Sequence, residues 1–241
     1  MKPKVVVDGL PHLQRAFAND FQTRALDALA WRDRFIVGLP GGSVATAFFP
    51  LLATLAVDWT RVEIFWIDER AVPPDHPDSN YGAAAKLLLA PAGVPAARVH
   101  RMHGELPDLE QAAAQAAAEL ESLAGDPPIL DLVLAGVGED GHVASIFGDG
   151  ARQTGTHTVM AVYNSPKPPL RRLTLTLDVL ARAGAVFIAA FGESKAVVMR
   201  EALEEDRATT PVAELLRRAV SSVVLLDREA GRLLRDEDSL S

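Results

Sequence analysis

The sequence predicts an α/β fold: a single Rossmann-like domain whose mainly parallel sheet is flanked by helices. Three observations carry this expectation. Apolar, β-rich runs alternate with helical patterns nearly from end to end of the 241 residues. Most of the runs are continuously apolar rather than alternating, as strands buried on both faces require. The unusual polar clusters fall just after those runs, where open α/β sheets hold their ligands.

In chain order, Val5–Val7 is the first strand candidate. Leu13, Phe17 and Phe21 then recur every four residues and mark an amphipathic helix. The run Phe35–Leu39 reads as a strand that enters a glycine turn and a helix after Ser43, and Val62–Ile67 as a strand that ends in charge. The alanine run 112–118 looks like low complexity, but Glu119, Leu120 and Leu123 extend it into a helix, Ala112–Leu123. Leu130–Ala135, Val159–Tyr163, Leu173–Leu177, Val186–Phe191 and Val223–Leu226 complete the strands, with a helix at Ala196–Leu203. Ser165-Pro166-Lys167-Pro168-Pro169 is the clearest loop, because proline supplies no ladder donor and restricts its neighbours. It is too short for a linker and there is no internal repeat, so residues 1–241 are expected to form one domain.

Composition narrows the function. With 49% hydrophobic, 23% charged and 6% aromatic residues, the chain can bury a substantial core. Twenty-four Lys and Arg against 32 Asp and Glu give a net charge of −8. No basic block exists to grip nucleic acid or anionic lipid, although a few placed cations still suffice for a small anion. The absence of cysteine excludes disulfide scaffolds, thiolate metal sites and cysteine nucleophiles, and fits a reducing cytoplasm. Lys2 and Lys4 lead into three valines before Asp8, far short of a signal-peptide core. The longest apolar stretch, Leu87–Ala97, contains two prolines and a glycine, so no membrane span is expected.

Four clusters can carry chemistry. In Gly38-Leu39-Pro40-Gly41-Gly42-Ser43, glycines let backbone N–H groups approach an anion at a helix start. Ser43 either adds a donor or caps the helix; the bland reading of the whole segment is a tight strand-to-helix turn. No Gly-Lys-Ser/Thr ending follows, which argues against a nucleoside triphosphate. In Trp66-Ile67-Asp68-Glu69-Arg70 three charges end a strand; Arg70 suits phosphate, or the three charges neutralise one another in solvent.

The third cluster, Gly136-Val137-Gly138-Glu139-Asp140-Gly141-His142, satisfies G-x-G-x-x-G. Its context denies a dinucleotide: Gly148-Asp149-Gly150 comes too soon for the long helix, and no acid follows the next strand to hold a ribose. What remains is His142 on a glycine turn, either a structural histidine or a proton acceptor. The other histidines form no zinc spacing, and neither a metal nor a cofactor is expected. The fourth group is cationic: Lys167, Arg171, Arg172 and Lys195, which are either solvated surface or the wall of an anion pocket.

Together these clusters resemble the 6-phosphogluconolactonase family, within the wider group that includes glucosamine-6-phosphate deaminases. The resemblance is carried by Pro40–Ser43, by Asp68–Gly82, by Gly136–Phe147, by Pro166–Leu177 and by Gly192-Glu193-Ser194-Lys195, in an order that spans nearly the whole chain. It implies a phosphate pocket made from Gly41, Gly42, Ser43, Arg70, Arg172 and Lys195, with Lys167 as a further member and Arg171 exchangeable with Arg172. It implies His142 as general base, activating water to attack a sugar-phosphate lactone, with Asp68 or Asp140 orienting the ring. Backbone N–H groups of the Gly136–Gly141 loop are the expected oxyanion donors.

Two rivals remain. The family's deaminases follow Asp-Gly-His with Asn-Glu-Pro-Gly, whereas Asp140-Gly141-His142 here runs into Val143-Ala144-Ser145-Ile146-Phe147. Gly148-Asp149-Gly150 also departs from the Pro-Gly that lactonases commonly place after Phe. A sugar-phosphate sensor would need an output element, and no basic recognition helix is evident. Oligomeric state is left open.

Overall fold

The computed structural model describes residues 2–148 and 157–235. Seven strands, β1 (Lys4–Val7), β2 (Phe35–Leu39), β3 (Val62–Trp66), β5 (Val99–His100), β6 (Leu132–Gly136), β9 (Val186–Ala190) and β10 (Ser222–Leu226), form one sheet. Its order is β1-β10-β9-β6-β2-β3-β5, and every neighbouring pair is parallel. Side chains of one strand alternate between the two faces. Phe187 and Ala189 of β9 join the core layer under helices α1 (Leu10–Trp31) and α2 (Gly42–Leu52). The short helices α3 (Asn80–Ala84) and α4 (Ala90–Ala92) precede β5 in the chain. Val186, Ile188 and Ala190 join the opposite layer, under α5 (Leu109–Ala124), α6 (Leu177–Arg182), α7 (Ala196–Glu204) and α8 (Pro211–Arg218).

Burial on both faces is why the strands read as unbroken apolar runs. On the α1 side, Phe17 packs edge-on against Phe48 and Phe187, each with ring centroids 5.1 Å away. Full burial of such a ring is worth about 1.5–3 kcal/mol in transfer free energy, so the sequence periodicity of α1 translates directly into stability.

A second sheet of three antiparallel strands, β4 (Asp68–Arg70), β8 (Arg172–Leu175) and β7 (Val159–Val162), lies in the order β4-β8-β7. The runs at 159–163 and 173–177 are therefore strands, but of this smaller sheet. The second is shorter than its apolar pattern predicts, because Leu177 already begins α6. The short strand β5 has no such pattern, and β4 consists entirely of charged residues. Helix α2 begins at Gly42, so Ser43 lies inside its first turn rather than ahead of it. Asp149 and Gly150 lie outside the described residues.

From β2 the chain steps outward to β3 and β5; from β6 it steps the other way, to β9 and β10, beside which the first strand, β1, forms the edge. The reversal sits between β2 and β6. Crevices beyond the carboxyl ends of the strands at such a reversal are where open α/β sheets bind ligands. Here that position is occupied by the turn after Leu39 and the loop after Gly136.

Candidate active site

The turn after β2 builds one wall of the crevice. Gly42 has φ +65°, a conformation that favours glycine. At Gly41 a Cβ would lie 1.7 Å from Asn80 Oδ1, so only glycine lets the Asn80 amide close against the turn. Gly41 is the N-cap of α2, no side chain caps the helix, and its first turn carries no acidic residue. Ser43 is exposed and is not the cap. The helix start thus presents uncapped N–H groups and the positive end of its dipole to the cleft, the arrangement that favours an anion.

Three cations face the same space. Arg70, Arg172 and Lys195 line one cleft together with Gly41, Gly42, Ser43, Asp68 and His142. Arg172 is only 5% exposed. Its Nε donates to the Pro169 carbonyl at 2.9 Å and its Nη2 to the Lys167 and Pro168 carbonyls at 2.9 and 3.2 Å. Burial and then the neighbouring Arg70 charge hold the Arg172 pKa below its ordinary value. Lys195, at the N-cap of α7, is likewise lowered by burial, partly offset by Glu139, whose carboxylate lies 3.8 Å from its Nζ. Cations that are desolvated and repel one another gain from an anionic guest.

The two remaining cations stand differently. Arg171 is exposed and donates to the Pro107 carbonyl at 3.1 Å, away from the cleft, so Arg172 is the arginine of the pair that reaches it. Lys167 is exposed and its side chain does not line the cleft; its backbone carbonyl serves Arg172 instead. The proline loop turns its carbonyls inward to hold a guanidinium, and the charge on its exposed Lys167 still reaches Lys195.

The loop after β6 carries His142 into the same cleft. His142 Nδ1 lies 2.5 Å from Asp140 Oδ1, and its ring centroid lies 4.6 Å from that of Phe147. With Asp140 accepting from Nδ1–H, the neutral imidazole carries its lone pair on Nε2. Partial burial works against ionisation of Asp140, but the His142 hydrogen bond and charge outweigh it and lower its pKa. The turn is drawn tight by Gly138 N–H donating to the His142 carbonyl at 2.9 Å and Gly141 N–H to the Gly138 carbonyl at 3.0 Å. Both N–H groups are thereby spent within the loop, which removes them from the expected set of oxyanion donors. Gly141 (φ +77°) and Ala144 (φ +52°) hold left-handed conformations, the latter uncommon for a residue with a Cβ.

Of the two acids considered for orienting His142, Asp140 does so and Asp68 does not. Asp68 lines the cleft floor, but its Oδ2 accepts from Ser145 Oγ at 2.7 Å and its Oδ1 from Asn80 Nδ2 at 3.1 Å. Ser145 in turn receives Arg172 Nη1 at 3.4 Å. Sequence reasoning assigned no role to Asn80, Ser145 or Glu69, all of them buried polar residues. Their signal was present in the segments Asp68–Gly82 and Gly136–Phe147, but polar residues in a loop give no sign of burial. Among the described residues, no group of three or more His, Asp or Glu is arranged to hold a metal ion. None of the described helices is long and apolar enough to cross a membrane.

A parallel sheet with a cationic crevice and a histidine–aspartate pair at its reversal point defines an α/β enzyme suited to a small anionic ligand. The family of glucosamine-6-phosphate isomerases and 6-phosphogluconolactonases matches residues 10–224, and the chain belongs to it. A 6-phosphogluconolactonase of Homo sapiens is 37% identical over 235 residues, covering 92% of this chain and 90% of that protein. One of Rattus norvegicus is 37% identical over 211 residues, 84% of this chain and 82% of that one. The solved 6-phosphogluconolactonase of Trypanosoma brucei superposes with a TM-score of 0.83 at 28% identity, covering 97% of this chain and 99% of that one.

Proposed function

We propose that the chain hydrolyses 6-phospho-D-glucono-1,5-lactone to 6-phospho-D-gluconate, the lactonase step of the oxidative pentose phosphate pathway, through water activated by His142. The observation that carries the mechanism is the placement of the Asp140-held imidazole in one cleft with Arg70, Arg172 and Lys195. The phosphate sits against the start of α2 and these cations, and its binding energy positions the lactone carbonyl. His142 Nε2 takes a proton from water as the water oxygen bonds to C1. The tetrahedral intermediate then breaks its bond from C1 to the ring oxygen, which recovers the proton. The new carboxylic acid ionises, and no covalent enzyme intermediate forms. The substrate of this reading is a small molecule; we read residues 1–241 as one domain and place the reaction in the cytoplasm.

The test is acid release from freshly generated lactone, corrected for spontaneous hydrolysis. Release well above background is expected, and its absence with concurrent deamination of glucosamine-6-phosphate would overturn the lactonase. Asp140→Asn keeps the shape but presents a poorer partner to Nδ1–H; kcat is expected to fall by about 10–100-fold with little change in KM. An unchanged kcat would remove Asp140 from the mechanism. Lys195→Met keeps the apolar stem and removes the charge. KM is expected to rise about tenfold or more, with kcat altered far less, because a phosphate contact made equally in ground and transition states is lost. A fall in kcat alone would instead place Lys195 at the reacting carbonyl.

A further inference from the structure

Glu69 is absorbed by none of these roles, yet it is 3% exposed and sits between two cleft-lining residues in β4. Its Oε1 accepts from Arg70 N at 2.7 Å and Asn80 N at 2.8 Å. Its Oε2 accepts from Tyr81 N at 2.8 Å and Ser79 Oγ at 3.1 Å. Each carboxylate oxygen thus serves two donors, and three of the four are backbone groups that cannot turn away. Burial pushes the Glu69 carboxyl up, and the three N–H bonds pull it back.

We propose that Glu69 is a positioning residue for phosphate binding, which folds the turn at residues 79–81 onto β4 and so sets Arg70 and Asn80 against the anion cradle. The proposal rests on the phosphate-binding role given to that cradle above. The consequences of the clamp are visible on both sides. Asn80, once held, donates its Nδ2 to the Asp68 carbonyl at 2.9 Å and fits its Oδ1 into the space left by the missing Cβ of Gly41. Arg70, once held, donates Nη1 to the Asp78 carbonyl of the same folded segment at 2.9 Å, while its Nε is buried with no protein partner. A buried guanidinium N–H without an acceptor is uncommon in folded proteins and matches a group kept for a ligand.

Glu69→Gln is the sharpest test because it preserves shape and changes only donors. Whichever way the amide is turned, its NH₂ faces at least one backbone N–H: those of Arg70 and Asn80, or that of Tyr81. A folded Glu69→Gln chain is expected to bind inorganic phosphate about tenfold more weakly by calorimetry, and to show a KM for the lactone raised by a similar factor, with kcat within about threefold of wild type. Wild-type phosphate affinity and KM in that variant would overturn the proposal, as would a loss confined to kcat. If Glu69→Gln fails to fold, Ser79→Ala removes one donor to Glu69 and leaves the carboxylate; about a two- to fivefold rise in KM and in phosphate Kd is then expected, and no change overturns the proposal. Phosphate binding is read without turnover. A wild type that binds phosphate but releases no acid therefore refutes the lactonase while leaving Glu69 testable, whereas a wild type that binds no phosphate refutes the clamp's purpose.

Discussion

A folded His142→Ala chain is expected to hydrolyse the lactone ~10²–10⁴-fold more slowly than wild type, with KM changed by less than about threefold. The direction follows from what the ring touches. One nitrogen is held by Asp140, the ring packs beside Phe147, and the residue lines the cleft without forming part of its cationic wall. Removing it deletes the proton acceptor and leaves the helix start and the arginines in place. Steady-state kinetics with correction for spontaneous opening of the lactone checks this, and inorganic phosphate binding should be retained. Near-normal kcat in a folded variant would sink the general-base assignment; a large rise in KM with kcat intact would mean that the histidine binds substrate.

The parts of this architecture that were legible in the sequence are those in which one physical effect dominates. Strand β2 coincides with its apolar run because all five residues are buried and the Pro40-Gly41-Gly42 turn follows at once. His142 was legible because a strand end, a glycine turn and a histidine occur in succession. What was hidden depends on partners distant in the chain. Asp68, Glu69 and Arg70 read equally well as solvated charges, yet all three bond to residues farther along the chain: Asp68 to Ser145, 77 positions away, Glu69 to the segment Ser79–Tyr81, and Arg70 to the Asp78 carbonyl. The choice between Arg171 and Arg172 turns on strand register. Pairing of Arg70 with Arg172 across β4 and β8 sends Arg172 inward, and the alternation of a strand sends Arg171 out. Lys167 was legible only as a charge; that its backbone carbonyl holds the Arg172 guanidinium was not. Two of the oxyanion donors expected from the glycine loop, the N–H groups of Gly138 and Gly141, are spent for a related reason: the tight turn uses them to hold itself closed.

The same tight turn makes Gly138 the residue outside the reacting groups whose replacement should do most harm. A Cβ at Gly138 would lie 1.9 Å from His142 Nδ1 and 2.4 Å from Asp140 Oδ1, too close for any non-bonded pair. Glycine is needed here for space, because both partners of the orienting hydrogen bond crowd its Cα. Gly138→Ala must therefore push the imidazole off Asp140 or distort the loop that closes through the Gly138 N–H. A displacement of about 1 Å in a catalytic group costs on the order of 10²-fold in rate, so kcat is expected to fall by about that factor or more while phosphate affinity stays near wild type. The double variant Gly138→Ala/His142→Ala sharpens the argument. If the methyl acts only through the imidazole, the double variant should be no slower than His142→Ala alone, since the second change has nothing left to displace. Multiplied losses in the double variant would show that Gly138 serves the reaction by a route independent of His142.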